Sequence, residues 1–221
     1  AERAAAWRDV ARQISHEIKN PLTPMQISLH RLAKTLEKDN LSQPDITESL
    51  RIIQEEIDSM RRLANEFSEY ARMPHMDLKS ENIVEVIKSS VKLFEGEAHK
   101  ISVRLEVQDD VESISLDKEQ FRRAIHNLLK NAMEASQPGD EIYVRISRAD
   151  KEPHKIKLEI VDFGTGMSQE TISKALEPYF TTKASGTGLG LSIVSRIIKD
   201  HGGELMIQSE VNQGTTITIY L

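Results

Sequence analysis

Gln13-Ile14-Ser15-His16-Glu17-Ile18-Lys19-Asn20-Pro21-Leu22 sets a histidine on the polar side of a helix whose other side is apolar. Trp7, Ala11, Ile14, Ile18, Leu22, Met25, Leu29, Leu32 and Leu36 follow one another at steps of three and four, the spacing of a single packed stripe. At roughly 100° per residue, His16 lies about 200° from both Ile14 and Ile18. The imidazole therefore points outward, with Glu17 beside it and Asn20 about 40° away, one turn on. An exposed imidazole next to a carboxylate able to take its proton has the makings of a nucleophile. Pro21 and Pro24 cannot donate to the carbonyls of Glu17 and Asn20, and the repeated four-residue step Ile14, Ile18, Leu22 breaks the heptad register. Both devices make the histidine turn deformable. The competing reading is an ordinary solvated histidine. Zinc ligation fits poorly, because His-Glu-x-x-Asn lacks the second histidine of His-Glu-x-x-His.

Outward from this stretch, the first helix is expected from near Ala4 to about Lys38, closed by Asp39-Asn40 and the turn Leu41-Ser42-Gln43-Pro44-Asp45. A second begins near Ile46, where Ile46, Leu50, Ile53, Ile57, Met60, Ala64, Phe67 and Ala71 alternate by fours and threes. Two such helices joined by a short loop cannot bury both stripes alone, so a homodimer forming a four-helix bundle is expected. A monomeric hairpin packed on a second domain is the alternative. Met73-Pro74-His75-Met76-Asp77 reads as a linker, which divides the chain into domains 1–75 and 76–221.

The second domain mixes periods. Helices are expected at about 82–95, 118–136, 169–176 and 189–201, and strands at 101–107, 113–116, 141–147, 155–161, 204–209 and 215–221. Hairpin-like strand pairs interleaved with helices suggest an α/β sandwich with one sheet face covered.

Composition narrows the function. The 221 residues carry a formal net charge of −6; residues 1–77 hold 11 Lys+Arg against 13 Asp+Glu and the remainder 18 against 22. Neither part is a basic nucleic-acid binder. With no cysteine, disulfides, thiolate catalysis and Cys-based metal sites are excluded, in keeping with a reducing cytoplasm. No apolar run is long enough for a membrane span and no signal peptide is evident, so no direct membrane contact is expected of this stretch. Because Ala1 already lies inside a periodic helix, the chain reads as a fragment with an upstream part through which the full-length protein can be membrane-anchored.

Four motifs in the second domain carry chemistry. In Asn127-Leu128-Leu129-Lys130-Asn131-Ala132, the two asparagines are four apart on one helix face; their amide oxygens can ligate Mg²⁺ while their NH₂ groups donate to phosphate. Asp162-Phe163-Gly164-Thr165-Gly166 follows an apolar strand; the carboxylate can accept from an exocyclic amine such as that of adenine, while Gly164 and Gly166 admit the ring close to the backbone. Gly186-Thr187-Gly188-Leu189-Gly190-Leu191 opens a helix, where N–H groups suit phosphate. Just before it, Glu177-Pro178-Tyr179-Phe180-Thr181-Thr182-Lys183 supplies hydroxyls and a cation. A protein-kinase reading of Asp-Phe-Gly fails for want of the Gly-rich and His-Arg-Asp loops; a Rossmann reading fails on spacing, and no Walker A pattern is present.

With these motifs in this order, the chain resembles the sensor histidine kinases over nearly all its length. The His16 segment is similar to the family's H box, Asn127–Asn131 to its N box, Asp162–Gly166 to G1, Phe180 to the F box and Gly186–Gly190 to G2. Trp7-Arg8-Asp9-Val10-Ala11 and Asn20-Pro21-Leu22-Thr23-Pro24 look most like the NtrY/NtrB nitrogen-regulation branch. The resemblance implies a dimerisation and phosphoacceptor hairpin followed by a Bergerat (GHKL) ATP-binding domain. It further implies ATP and Mg²⁺ as cofactors, held by Asn127, Lys130, Asn131, Asp162, Gly164, Gly166, Phe180, Thr182, Lys183, Gly186, Gly188, Leu189 and Gly190, with Asn131 and Asn127 facing the metal. His16 is then the phosphoacceptor, Glu17 its base and Asn20 the residue orienting water in a phosphatase reaction. The partner is a response-regulator receiver domain. One departure from the family pattern is that only Ala184 and Ser185 separate Lys183 from Gly186, where many relatives carry a longer ATP lid. The rival readings are a dimeric ATP-binding scaffold without autokinase activity and a Bergerat-fold ATPase of the chaperone or topoisomerase kind.

Overall fold

The computed structural model describes residues 22–32, 34, 46–58, 60, 76–94, 101–108, 113–183 and 186–221, so the expectations for His16, Glu17 and Asn20, and for the helix ends and turn around residue 40, lie outside the described residues. The chain divides into two compact units, Ala1–Met73 and Pro74–Leu221.

In the first unit, residues 22–32 (α1) and 46–58 (α2) are helical. Met25, Ser28 and Ser49 are buried, whereas Leu22, Ile27, Leu29, Leu50 and Ile57 remain exposed. A single copy thus leaves much of the two apolar stripes in water. On the polar side of α2, Arg51 forks between Glu48 and Glu55 at 2.7 and 2.5 Å, pairs one turn away on either side.

The second unit begins with β1 (Lys79–Glu81) and α3 (Ile83–Val91), which runs into a 3₁₀ turn, Lys92–Phe94. It continues with β2 (Ser102–Val107), β3 (Ile114–Leu116), α4 (Lys118–Ala135), β4 (Glu141–Arg148) and β5 (Ile156–Asp162). It ends with α5 (Gln169–Lys174), α6 (Gly190–Asp200), β6 (Glu204–Glu210) and β7 (Gly214–Tyr220). Five strands form a mixed sheet in the order β2-β4-β5-β7-β6, and β1 pairs with β3 in a separate two-stranded ribbon.

Two points differ from the sequence reading. β1 was not expected, because Lys-Ser-Glu has no apolar alternation; its extended form comes with the antiparallel register Lys79↔Leu116 to Glu81↔Ile114. Nor do β2 and β3 make a hairpin. β2 lies parallel to β4, with Ser102 opposite Glu141, and α4 lies between them in the chain as a parallel connection requires.

The period-2 pattern of β4 turns Ile142, Val144 and Ile146 toward the helices, joined by Leu158 and Ile160 of β5 and Ile217 and Ile219 of β7. α4 offers Phe121, Ala124, Ile125, Leu128, Leu129 and Ala132, the i, i+3, i+4 stripe of an amphipathic helix, and packs with α3, α6 and β5. The other sheet face is polar, with Arg145 2.8 Å from Glu106 and Lys157 2.9 Å from Glu159. One face is therefore wet and the site must form on the helical side or at a strand end. Among the described residues no helix is long and apolar enough to cross a membrane.

Candidate functional site

α4 begins cleanly because Asp117 caps it, accepting from the Gln120 N–H at 3.1 Å. The same carboxylate accepts from the Asp77 N–H at 3.0 Å, tying the entry of the second unit to the helix start. Burial opposes ionisation of Asp117, but the backbone donors of Asp77, Gln120 and Glu119 outweigh it and hold the carboxyl below its ordinary range. His201 completes this corner: its Nε2 accepts from the Asp117 N–H at 2.9 Å and its Nδ1 bonds the Ile197 carbonyl at 2.8 Å.

From that anchored start, the 18 residues of α4 carry Asn127 and Asn131 to the N-terminus of α6. A Cβ placed on Gly190, the first residue of α6, would lie 3.9 Å from Asn131 Nδ2 and 4.0 Å from Asn127 Oδ1. Any larger residue at 190 would occupy the space the amides face. α3, α4 and α5 are each capped by a side chain, from Asn82, Asp117 and Ser168; Leu189, at the cap of α6, makes no such bond. The first N–H groups of α6 therefore keep their hydrogen-bonding capacity and the positive end of the helix dipole. Leu189 itself is fully buried, and its carbonyl accepts from the Ile193 N–H and the Ser192 hydroxyl, both at 2.9 Å.

Asp162, a residue only 7% exposed, ends β5 with its carboxylate accepting from the Gly164 N–H at 3.0 Å. Desolvation pushes this carboxyl above its ordinary value, against the lowering effect of the Gly164 and Thr215 N–H groups and of Lys183. An anionic acceptor that is costly to keep buried is suited to a ligand that brings a donor. The turn after it is pressed onto α4: a Cβ on Gly164 would fall 2.2 Å from the Ala135 carbonyl oxygen, which accepts from the Thr165 N–H at 3.1 Å. Gly166 is held equally tightly under the Glu210 carbonyl.

The glycine loop and the segment before it form one strut. Gly188 has φ +69°, and a Cβ there would lie 2.3 Å from the Tyr179 carbonyl carbon. Tyr179, also left-handed at φ 66°, donates its N–H to the Gly188 carbonyl at 3.0 Å and is buried. This pairing sets the places of Phe180, half-buried, and of exposed Thr182 and Lys183 beside Gly186. Lys183 Nζ sits 2.5 Å from Glu134 on α4, and Lys130 Nζ approaches the other oxygen of that carboxylate at 3.9 Å.

The described part of the predicted set thus converges on one side of the second unit, around the end of α4 and the start of α6. The sequence reading missed Tyr179 and Glu134. Nothing local marks Tyr179 as left-handed, whereas Glu134 continues the face of Asn127 and Asn131 at a further step of three and was open to detection. As for a metal, no group of three His, Cys, Asp or Glu ligands occurs among the described residues. The hard oxygen donors at hand are the two amides and the Glu134 carboxylate, a sparse set that fits a hydrated Mg²⁺ shared with phosphates better than a protein-only cage.

Residues 6–75 match the family described as His Kinase A (phospho-acceptor) domain, and residues 116–221 the Histidine kinase-, DNA gyrase B-, and HSP90-like ATPase family. Nitrogen regulation protein NtrY of Azorhizobium caulinodans is 37% identical over 209 residues, 92% of this chain and 27% of that protein. A putative sensor histidine kinase NtrY-like of Rickettsia bellii is 32% identical over 99% of this chain and 36% of its own length. The chain therefore spans only 27 to 36% of the length of these two relatives. Among solved structures, the mycobacterial sensor histidine kinase MprB is similar with a TM-score of 0.58 at 29% identity, over 65% of this chain and 96% of that one. Histidine kinase ThkA in complex with response regulator protein TrrA shares the fold, with a TM-score of 0.77 at 22% identity over 100% of this chain and 63% of that one.

Proposed function

Because this chain belongs to the sensor histidine kinases, on the side of its NtrY-like relatives, we propose that it binds Mg·ATP in the second unit and autophosphorylates His16. The observation that carries this reading is the arrangement around α4: the turn after the buried Asp162 packs on Ala135, and the Asn127 and Asn131 amides lie at the uncapped start of α6. Asp162 accepts from the adenine amine. The N–H groups at the start of α6 and the Lys183 ammonium take the phosphates, and Asn131 with Asn127 would hold the metal, which when bound supplies charge neutralisation for the triphosphate.

In the transfer itself a ring nitrogen of His16 forms a bond to the γ-phosphorus as the bond to the β,γ-bridging oxygen breaks. ADP leaves and Glu17 accepts the imidazole proton, a general-base contribution of roughly 10²–10⁴-fold. The phosphoramidate then passes to an aspartate on a response-regulator receiver domain. Asn20 orients water when the same segment dephosphorylates that regulator. Residues 1–75 are assigned as the dimerisation and phosphotransfer domain and 76–221 as the ATP-binding domain. The exposed Leu29 and Leu50 support homodimerisation. The protein acts in the cytoplasm, in a larger chain anchored to the membrane.

Incubation with γ-labelled ATP and Mg²⁺ tests this. Acid-labile, base-stable label is expected on the parent and none on His16→Gln, with ATP affinity nearly unchanged in the variant. Label persisting on His16→Gln would remove the acceptor assignment, and no label on the parent would leave an ATP-binding scaffold.

A further inference from the structure

Glu134 is the last charged residue of α4, whose other carboxylate, Glu119, lies in the first turn. Asn127, Asn131 and Glu134 follow at steps of four and three, so they share one stripe of the helix. The first two face the start of α6, and Glu134 reaches Lys183 at 2.5 Å from the neighbouring strut. With Lys130 at 3.9 Å from its second oxygen, one carboxylate stands between the two cations that a phosphate chain at this site would seek. All three groups are about half exposed, so the ion pairs are exchangeable rather than locked.

We infer that Glu134 makes the site selective for nucleotide as its Mg²⁺ complex over the metal-free polyanion. The inference rests on the reading of the site as ATP-binding. Bare ATP must draw Lys183 away from Glu134 and leave that carboxylate facing the phosphates, a like-charge contact with no compensation. When Mg²⁺ accompanies the phosphates, the carboxylate faces a divalent cation that favours oxygen ligands, directly or through its water, and Lys183 is free to turn to the phosphates. The charge of Glu134 therefore opposes one form of the nucleotide and accommodates the other.

Calorimetry on the 221-residue chain, with ATP in EDTA and with ATP in excess Mg²⁺, tests this. Glu134→Gln should bind metal-free ATP about tenfold more tightly than the parent, the removal of one partly screened like-charge contact. Its affinity for Mg·ATP should be equal to or lower than the parent's, so that the preference for Mg·ATP collapses. Glu134→Asp, which keeps the charge, should retain the preference. Glu134→Gln weakening both forms equally would overturn the inference and leave Glu134 as a structural tether for Lys183. Failure of the parent to bind ATP in either buffer would overturn the ATP reading and this inference with it, whereas parent binding in both with no change in Glu134→Gln would overturn this inference alone.

Discussion

Asp162 carries a desolvation cost in the free protein that its backbone donors and Lys183 offset only in part. Its carboxyl is pushed above the ordinary range chiefly by desolvation, so the folded state holds that proton more tightly than the unfolded chain does. A raised carboxyl pKa means that stability falls as pH rises from the ordinary aspartate value through the shifted one, and the full cost persists above it. Asp162→Asn removes the charge but keeps an oxygen for the Gly164 N–H. The variant should therefore melt higher than the parent at pH 7 without nucleotide, with the gap closing once pH drops below the ordinary carboxylate range. In the same variant ATP affinity should fall about tenfold or more, since a hydrogen bond to a charged group is worth about 1.5–3 kcal/mol. GTP, lacking the adenine amine, should be little affected. Calorimetry and thermal melts at several pH values read both effects, and a variant that melts lower at pH 7 would show that the buried charge is compensated by its donors.

The strut between Tyr179 and Gly188 is the element on which the phosphate side of the site depends. Two left-handed residues face each other across one hydrogen bond, and the approach leaves no room for a side chain at 188. Gly202 offers a control, since its φ of +73° matches that of Gly188 but a Cβ there would meet nothing within 4 Å. Gly202→Ala should cost only the left-handed strain, roughly 1–2 kcal/mol, with nucleotide binding intact. Gly188→Ala adds a collision with the Tyr179 backbone and should lower the melting temperature further while weakening ATP binding by more than tenfold. Urea denaturation with calorimetry on both variants separates strain from collision; equal losses in both would mean that the loop relaxes around the added methyl.

The assembled protein is expected to be a dimer because, among the described residues of the first unit, Leu22, Ile27, Leu29, Leu50 and Ile57 stand in water. Leu29 and Leu50 are 56% and 55% exposed, and burying a leucine contributes about 1.5–3 kcal/mol. The double variant Leu29→Glu, Leu50→Glu should sediment as a monomer at micromolar concentration, where the parent sediments as a dimer. ATP binding should survive, since the second unit has its own core. A double variant that still sediments as a dimer would place the interface elsewhere.

Sequence alone determined much of the second unit, because its signals are local. The apolar alternation of β4, the caps Asn82, Asp117 and Ser168, and the stripe of α4 each act over a few residues; the expected strands and three of the four helices end within two residues of where the sequence places them, whereas α3 stops at Val91 and only its 3₁₀ turn reaches Phe94. The motifs Asn127–Asn131, Asp162–Gly166 and Gly186–Gly190 were equally legible, since each is a short run with its own chemistry. Only the tertiary structure decided the strand partners: β2 beside β4, β1 on β3. It alone also brought Glu134 to Lys183, 49 residues on, and turned Tyr179 left-handed against Gly188. Hydrogen-bond registers and ion pairs between distant segments depend on how the helices and sheet close on one core, and no window of sequence contains both partners.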